Sequence, residues 1–167
     1  MTNALTKMLL EREWILADGA TGTNLFNMGL SSGDAPELWN ETEPQKINAL
    51  YQIAVDAGSD IFLTNSFGGN AARLKLHGAA HRAGELSRIA AEIGREVADR
   101  SNRDIVVAGS VGPTGEIMQP VGALSHADAV EIFALSGLGG LAVSDTDQTI
   151  NAETDVSMDG VYIDNLG

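Results

Sequence analysis

Residues 60–65 read Asp-Ile-Phe-Leu-Thr-Asn, a short apolar run that begins at an acid and ends at polar residues. Similar apolar runs lie at residues 14–17 (Trp-Ile-Leu-Ala) and 104–109 (Asp-Ile-Val-Val-Ala-Gly). Because the apolar residues are continuous and do not alternate with polar ones, each run is typical of a strand that is buried on both faces. The sequence therefore predicts three short buried strands.

Helical patterns separate and flank these runs. A capping-box pattern at residues 42–45, Thr-Glu-Pro-Gln, precedes apolar residues at helical spacing and predicts a helix over 43–57. Ser125 with Asp128 predicts a cap for a further helix. The predicted helices cover residues 2–13, 43–57, 82–100 and 126–134. Strands that alternate with helices favour an α/β fold with a parallel sheet, its strands adjacent in chain order and its helices outside.

A polar, glycine-containing loop follows each predicted strand, at residues 18–23, 64–69 and 109–113. In parallel α/β folds, ligands bind at the carboxyl ends of the strands. We therefore expect the three loops to converge on one ligand-binding face.

Composition limits the classes of partner. The 167 residues carry a formal net charge of −13 and contain no cysteine. Such an acidic chain repels nucleic acid and anionic membrane surfaces, so we expect neither as a partner. No signal-peptide pattern or long apolar stretch is present, so we expect a cytoplasmic location. Without cysteine there is neither a disulfide nor a thiolate ligand for a metal.

The last part of the chain differs in character. Residues 136–167 contain no Lys or Arg, and six residues there are acidic. Glycines at 137, 139 and 140 interrupt the preceding helix pattern. We therefore divide the chain into a domain at 1–135 and a divergent acidic tail at 136–167, formed by weak strands or disordered.

Four stretches together resemble one enzyme family. They are residues 16–23 (Leu-Ala-Asp-Gly-Ala-Thr-Gly-Thr), 36–40 (Pro-Glu-Leu-Trp-Asn), 56–68 and 108–116. In this order and spacing they resemble the homocysteine S-methyltransferase family, most closely its bacterial betaine–homocysteine members. The resemblance covers about residues 9–134. It implies a partial (β/α)8 TIM barrel, with residues 1–135 supplying the first three to four βα units of a homocysteine-binding domain.

The resemblance also implies an activity and a site. Family members transfer a methyl group to homocysteine, giving methionine, and hold zinc through cysteine thiolates in the second half of the barrel. Carried over by motif, the homocysteine amino and carboxylate groups would be bound by Asp18, Gly19 and Ala20 and by Thr64, Asn65 and Ser66. Since the cysteines are absent, we expect this chain to bind no zinc and to be inactive alone. We attribute the change near residue 135 to a frameshift, a truncation or a fusion.

Several residues have alternative interpretations. His77 and His81 are spaced for a metal on a helix, but we interpret them as surface histidines because Gly78 lies between them. Thr64, Asn65 and Ser66 can equally close a βα turn. We interpret Gly109, Gly112 and Gly115 as backbone turns, and Glu116 as solvated. Asp145 and Asp147 resemble a calcium loop that lacks its glycine and glutamate.

Two other functions stay open at this point. One is a non-catalytic α/β binding or assembly module, and the other is a small doubly wound domain for a phosphorylated ligand. A partial barrel exposes strand edges and apolar faces, so self-association is expected.

Overall fold

The computed structural model describes residues 4–133. Its helices are α1 Ala4–Glu11, α2 Thr21–Asn27, α3 Trp39–Thr42, α4 Pro44–Asp56, α5 Ala71–Leu74, α6 Ala83–Asp99 and α7 His126–Phe133. The strands are β1 Ile61–Leu63 and β2 Val106–Ala108, and 3-10 turns lie at Pro36–Leu38, Lys75–His77 and Ala80–Arg82.

The two strands pair in parallel, as the sequence predicts. Ile61 lies opposite Val106 and Leu63 opposite Ala108. The ladder continues at both ends, where Val106 N donates to Asp60 O at 2.9 Å and Thr64 N donates to Ala108 O at 2.8 Å. The carboxyl ends of β1 and β2 therefore meet at one edge, as expected for a ligand site of an α/β fold.

The first predicted strand is wrong in its extent and burial. Residues 14–17 form only a single parallel bridge, between Ala17 and Ile61. Trp14 is 72% exposed and Leu16 is 42% exposed. The physical reason is that a side chain replaces part of the ladder, because Leu16 N donates to Asp60 Oδ2 at 3.0 Å.

Asp60 joins distant segments at the amino end of β1. Its buried carboxylate accepts hydrogen bonds from Leu16 N, from Arg12 Nη1 at 2.5 Å and from Arg103 Nη1 at 3.2 Å. The Leu16 N–H first, and then the Arg12 guanidinium, lower the pKa of Asp60. The ionised carboxylate thus holds the first segment beside β1.

The predicted helices are present with small shifts at their ends. Helices α4 and α6 match predictions 43–57 and 82–100 to within one residue at each end. Ser125 caps α7, since Asp128 N donates to Ser125 Oγ at 3.1 Å. The capping box at 42–45 is wrong: Thr42 Oγ1 donates back to Leu38 O at 3.1 Å, so this hydroxyl is used within the preceding turn.

Helix α2 and the short elements around residues 36–42 and 71–82 are additions to the predicted order. The sequence places residues 18–23 in a loop, whereas α2 begins at Thr21 after Ala20, whose φ is +57°. Leu25 on this helix is buried in the main core. Tertiary packing therefore stabilises a helix whose own residues favour it weakly.

The core lies between the sheet and helices α4 and α6. The rings of Tyr51 and Phe62 stack with centroids 5.0 Å apart. Gly94 of α6 lies directly on the sheet, because a Cβ atom there would be 2.9 Å from Val107 Cγ1 and 3.3 Å from Phe62 Cε2. Close packing of α6 thus depends on the missing side chain.

The acidic tail predicted at 136–167, and residue 134 of the last predicted helix, lie outside the described residues. Within residues 4–133, no helix is long and apolar enough to cross a membrane.

Candidate functional site

A cavity of about 600 Å³ lies at the carboxyl end of β1. Its walls come from the start of α2, from residues 33–37, from the loop after β1, from residues 73–77 and from Ser110 after β2. All three predicted loops therefore approach this region, as expected from the strand order. A cavity of this size, with apolar and polar walls, is typical of a small-molecule site.

The loop after β1 is joined to the loop after β2 by buried hydroxyl groups. Ser66 Oγ donates to Ser110 O at 2.9 Å, and Ser110 N donates to Thr64 Oγ1 at 3.2 Å. Thr64 Oγ1 and Ser66 Oγ lie 2.7 Å apart. Since the Ser66 hydroxyl hydrogen is directed to Ser110 O, Thr64 is the donor in this pair. Both hydroxyl hydrogens are thus used inside the protein.

Asn65 is the centre of a buried amide network. Its Nδ2 donates to Pro36 O at 2.8 Å and to Asn40 Oδ1 at 2.9 Å. Asn40 Nδ2 donates in return to Asn65 O at 2.9 Å and to Leu86 O at 3.1 Å. Tyr51 Oη accepts from Asn65 N at 2.7 Å, and burial raises the pKa of the Tyr51 phenol. The network holds the cavity loop against α3 and α6.

Asp18 has a backbone partner on β1. Its Oδ1 accepts a hydrogen bond from Leu63 N at 3.1 Å. Partial burial raises the pKa of Asp18, and the bond from Leu63 N opposes that shift. The carboxylate does not line the cavity, and neither do Gly19, Ala20 and Ser66. Of the six predicted site residues, Thr64 and Asn65 line it, and Ala20 leads directly into Thr21 and Gly22, which also do.

Glu37 is a buried acid in the cavity wall, and the motif analysis did not select it as a site residue. Its Oε1 accepts a hydrogen bond from Gly68 N at 2.6 Å. A Cβ atom on Gly68 would lie 2.9 Å from the same oxygen, so glycine permits this approach. An acid between Pro36 and Leu38, in an otherwise apolar turn, is the available sequence signal for burial.

Arg73 and His77 are basic residues that line another part of the cavity. Asn70 caps helix α5, because its Oδ1 accepts from Arg73 N at 3.0 Å and so fixes the first turn. Both side chains line the cavity. His77 and His81 are exposed and belong to separate 3-10 turns around Gly78, whose φ is +70°, in agreement with surface histidines.

The glycine-containing loop after β2 packs on the loop after β1. A Cβ atom on Gly112 would lie 2.3 Å from Phe67 O, so a side chain there would displace the backbone. Gly115 has a φ of +80°, consistent with a turn. Glu116 forms an exposed ion pair with Lys75 at 2.5 Å, as a solvated carboxylate can.

The residues do not fit a thiolate-bound zinc. The whole sequence has no cysteine, and residues 4–133 contain no group of three His, Asp or Glu side chains that could hold a metal.

Comparison with known proteins finds one matching family and several similar proteins. The family model described as homocysteine S-methyltransferase matches residues 15–155, past residue 135. Methionine synthase of Mycobacterium tuberculosis is 31% identical over 140 residues, which is 78% of this chain and 12% of that protein. Methionine synthase of Mycobacterium leprae is 30% identical over 139 residues, 78% of this chain and 11% of that protein.

Solved structures agree with these matches. The oxidized form of the homocysteine methyltransferase MmuM from Escherichia coli superposes with a TM-score of 0.56 at 27% identity, covering 68% of this chain and 42% of MmuM. The metallated form superposes with a TM-score of 0.54 at 27% identity, covering 65% and 41%. The chain thus spans less than half of MmuM and a small part of the methionine synthases.

Proposed function

Because the chain belongs to the homocysteine S-methyltransferase family, we propose that its cavity binds homocysteine, the acceptor of a methyl group from a betaine-type donor in a reaction that gives methionine. The observation that carries the proposal is the position of the cavity, at the carboxyl end of β1 and beside the loops of the family motifs.

Six residues form the proposed amino-acid site. Thr64 and Asn65 lie in the cavity wall, and Ser66 holds that loop to Ser110. Asp18 supports the wall through Leu63 N, with Gly19 and Ala20 leading into the start of α2. The side-chain hydroxyl and amide groups hold the wall in shape through hydrogen bonds within the protein. The ligand binds to the backbone groups and to the oxygen lone pairs that these hydrogen bonds do not use.

Methyl transfer needs more than this site supplies. A thiol with a pKa near 8.5 is only a few per cent thiolate at neutral pH, so an unassisted homocysteine sulfur is mostly unreactive. The family's zinc supplies thiolate stabilisation, and this sequence has no cysteine, while residues 4–133 contain no group of three other side chains that could hold the metal. We therefore propose that this polypeptide alone binds homocysteine without methylating it, which is also what a non-catalytic binding module would do.

The fold proposal is a partial barrel formed by the first βα units. Strands β1 and β2 pair in parallel, and α4 and α6 pack on one side of them. Leu63 is partly exposed, and within residues 4–133 the outer edge of β2 has no strand partner. Apolar side chains and an open edge favour self-association of the isolated chain, which light scattering over a range of concentrations would measure.

Calorimetry tests the binding proposal. The metal-stripped 167-residue chain should bind L-homocysteine, and Asp18→Ala should abolish that binding because Leu63 N loses its acceptor. Asp18→Asn is the matched control, since its amide oxygen can still accept from Leu63 N. Absence of any homocysteine binding by the wild-type chain would contradict the proposal.

A second assay tests the catalytic part. Zinc and betaine are added to the homocysteine-saturated chain, and methionine is measured against a reaction without protein. We expect no methionine above that background. Methionine formation well above it would show that the chain assembles a working metal site.

A further inference from the structure

Residues 36–40 belong to the motif stretches, yet the proposed amino-acid site gives them no role. In the structure this segment binds the loop after β1 at two points. Pro36 O accepts from Asn65 Nδ2 at 2.8 Å, and Glu37 Oε1 accepts from Gly68 N at 2.6 Å. The segment therefore contacts both the beginning and the end of that loop.

Asn40 makes the most extensive contact of this segment. Its Oδ1 accepts from Asn65 Nδ2, and its Nδ2 donates to Asn65 O, both at 2.9 Å. The same Nδ2 donates its second hydrogen to Leu86 O of α6 at 3.1 Å. A side-chain amide has two donor hydrogens, so those of Asn40 are divided between the loop and the helix. The side chain thus fixes the position of the Asn65 backbone relative to α6.

Asn40 does not reach the cavity itself. It is 0% exposed and does not line the cavity wall, whereas Thr64 and Asn65 do. Packing alone does not require an amide here, because a leucine of similar size can be buried without any hydrogen-bond partner. What the amide adds is a defined orientation of the loop backbone, since its hydrogen bonds have to be satisfied together.

The segment is also held in place by contacts outside the loop. Leu38 packs against a core cluster that includes Leu74 and Leu86. Beside it, Glu41 Oε2 accepts from Arg82 Nη1, directly before α6, at 2.8 Å. The loop after β1 is therefore attached to a segment whose position is already fixed by α6 and its surroundings.

We propose that Asn40 is a positioning residue, which holds the backbone of residues 64–68 in the conformation that binds the ligand without contacting the ligand itself. The proposal rests on the proposed function, which names homocysteine as that ligand. Tyr51 of α4 supports the same backbone, because its Oη accepts from Asn65 N at 2.7 Å. Removing either contact loosens the loop while the surrounding helices stay folded.

The experiment compares three variants of the full chain. Asn40→Ala removes the amide, and Tyr51→Phe removes one hydroxyl but keeps the ring that stacks on Phe62. Val97→Ala is the control for a general loss of stability, since Val97 is buried in the main core about 16 Å along α6 from Leu86.

Two quantities are measured under conditions in which urea unfolding curves show every variant to be folded. Calorimetry gives the affinity for L-homocysteine. Hydrogen–deuterium exchange without ligand, followed by mass spectrometry of peptides that cover residues 64–69, reports the order of the loop. A residue that only adds stability would change neither quantity in a fully folded sample.

The variants should separate positioning from stability. Asn40→Ala should bind homocysteine roughly 10-fold more weakly and exchange faster over residues 64–69, because the Asn65 backbone loses its support. Tyr51→Phe should weaken binding by roughly 3- to 10-fold, and it decides the question if Asn40→Ala does not fold. Val97→Ala should unfold at a lower urea concentration, with affinity within about twofold of the wild type and loop exchange unchanged.

Other outcomes overturn the proposal. Unchanged homocysteine affinity in both Asn40→Ala and Tyr51→Phe would refute the positioning role and leave the proposed function intact. Affinity that falls in all three variants in proportion to their stability would show a structural role alone. A wild-type chain that does not bind homocysteine would refute the proposed function and the positioning role together.

Discussion

Two walls of the cavity use their polar groups in opposite ways. In the loop after β1, Thr64 donates its hydroxyl hydrogen to Ser66 in the same loop, whereas Asn65 and Ser66 donate to residues outside it. In the other wall, Glu37 has a free carboxylate oxygen and Arg73 a guanidinium without a partner in the described chain. Neutral groups thus hold the loop in place, whereas these two charged side chains in the cavity wall form no ion pair within residues 4–133.

The largest effect should come from breaking the neutral network. Asn65→Ala leaves Pro36 O and Asn40 Oδ1 without their shared donor inside the protein. We expect the free energy of unfolding to fall by about 2–4 kcal/mol, measured by urea denaturation. A loss below about 0.5 kcal/mol would show that water replaces the amide.

Asp60 is a carboxylate with all its partners in place, in contrast to Glu37. Asp60→Asn should lower stability by about 1–3 kcal/mol at pH 7, because Leu16 N, Arg12 and Arg103 lose a charged acceptor. The pKa of Asp60 is lowered by folding, so its contribution is present above the unfolded value of about 3.9 and is lost as pH falls through the lower folded value.

The measurement is a series of urea unfolding curves from pH 7 down to acid. The wild-type and Asp60→Asn proteins should converge in stability below about pH 4. Glu37→Gln is the control: Glu37 forms no ion pair within residues 4–133, and the amide oxygen can still accept from Gly68 N, so stability at pH 7 should change less than in Asp60→Asn. A parallel pH dependence of wild type and Asp60→Asn would contradict the assigned role.

A smaller effect is expected from crowding Glu37. Gly68→Ala places a Cβ atom 2.9 Å from Glu37 Oε1, so the carboxylate must move. We expect a loss of about 1–2 kcal/mol in stability and weaker homocysteine binding. The double variant Gly68→Ala with Glu37→Asp shortens the acid and should recover stability. If it does not, the strain lies in the backbone of the loop.

The smallest effect should come from the exposed ion pair between Lys75 and Glu116. Both side chains are about half exposed. Lys75→Gln should change the free energy of unfolding by less than about 1 kcal/mol and leave ligand binding unaltered. A reduced homocysteine affinity would show that Lys75 contributes to ligand binding.

Sequence periodicity predicts the elements whose burial is continuous along the chain. Helices α4 and α6 have long apolar faces, and the β2 run is uniformly apolar, so their positions follow from the pattern. Helix α2 could not be predicted in this way, because Thr-Gly-Thr-Asn has low helical propensity and the burial of Leu25 stabilises it only in the folded protein.

The site also has parts that the sequence predicts and parts that it does not. The motif loops predict the location of the cavity, since carboxyl ends of parallel strands meet. The burial of Glu37 depends on its approach to Gly68, a contact across 31 positions of the chain that local patterns do not encode. Likewise, the first strand is short because Leu16 N donates to the Asp60 side chain and not to a backbone carbonyl. The local sequence pattern does not indicate which of these two partners the N–H will use.

Helix α6 connects the packing on the sheet with the amide network beside the cavity. It is fixed at two points, where Gly94 lies in a notch formed by Phe62 and Val107, and where Leu86 O accepts from Asn40 Nδ2. Inserting one residue between these points would rotate one end by about 100° and move it by about 1.5 Å relative to the other. The contact of Gly94 with Phe62 and Val107 could then not form together with the hydrogen bond between Leu86 and Asn40. The number of residues between Leu86 and Gly94 is therefore fixed by the shape of a cavity that the helix itself does not line.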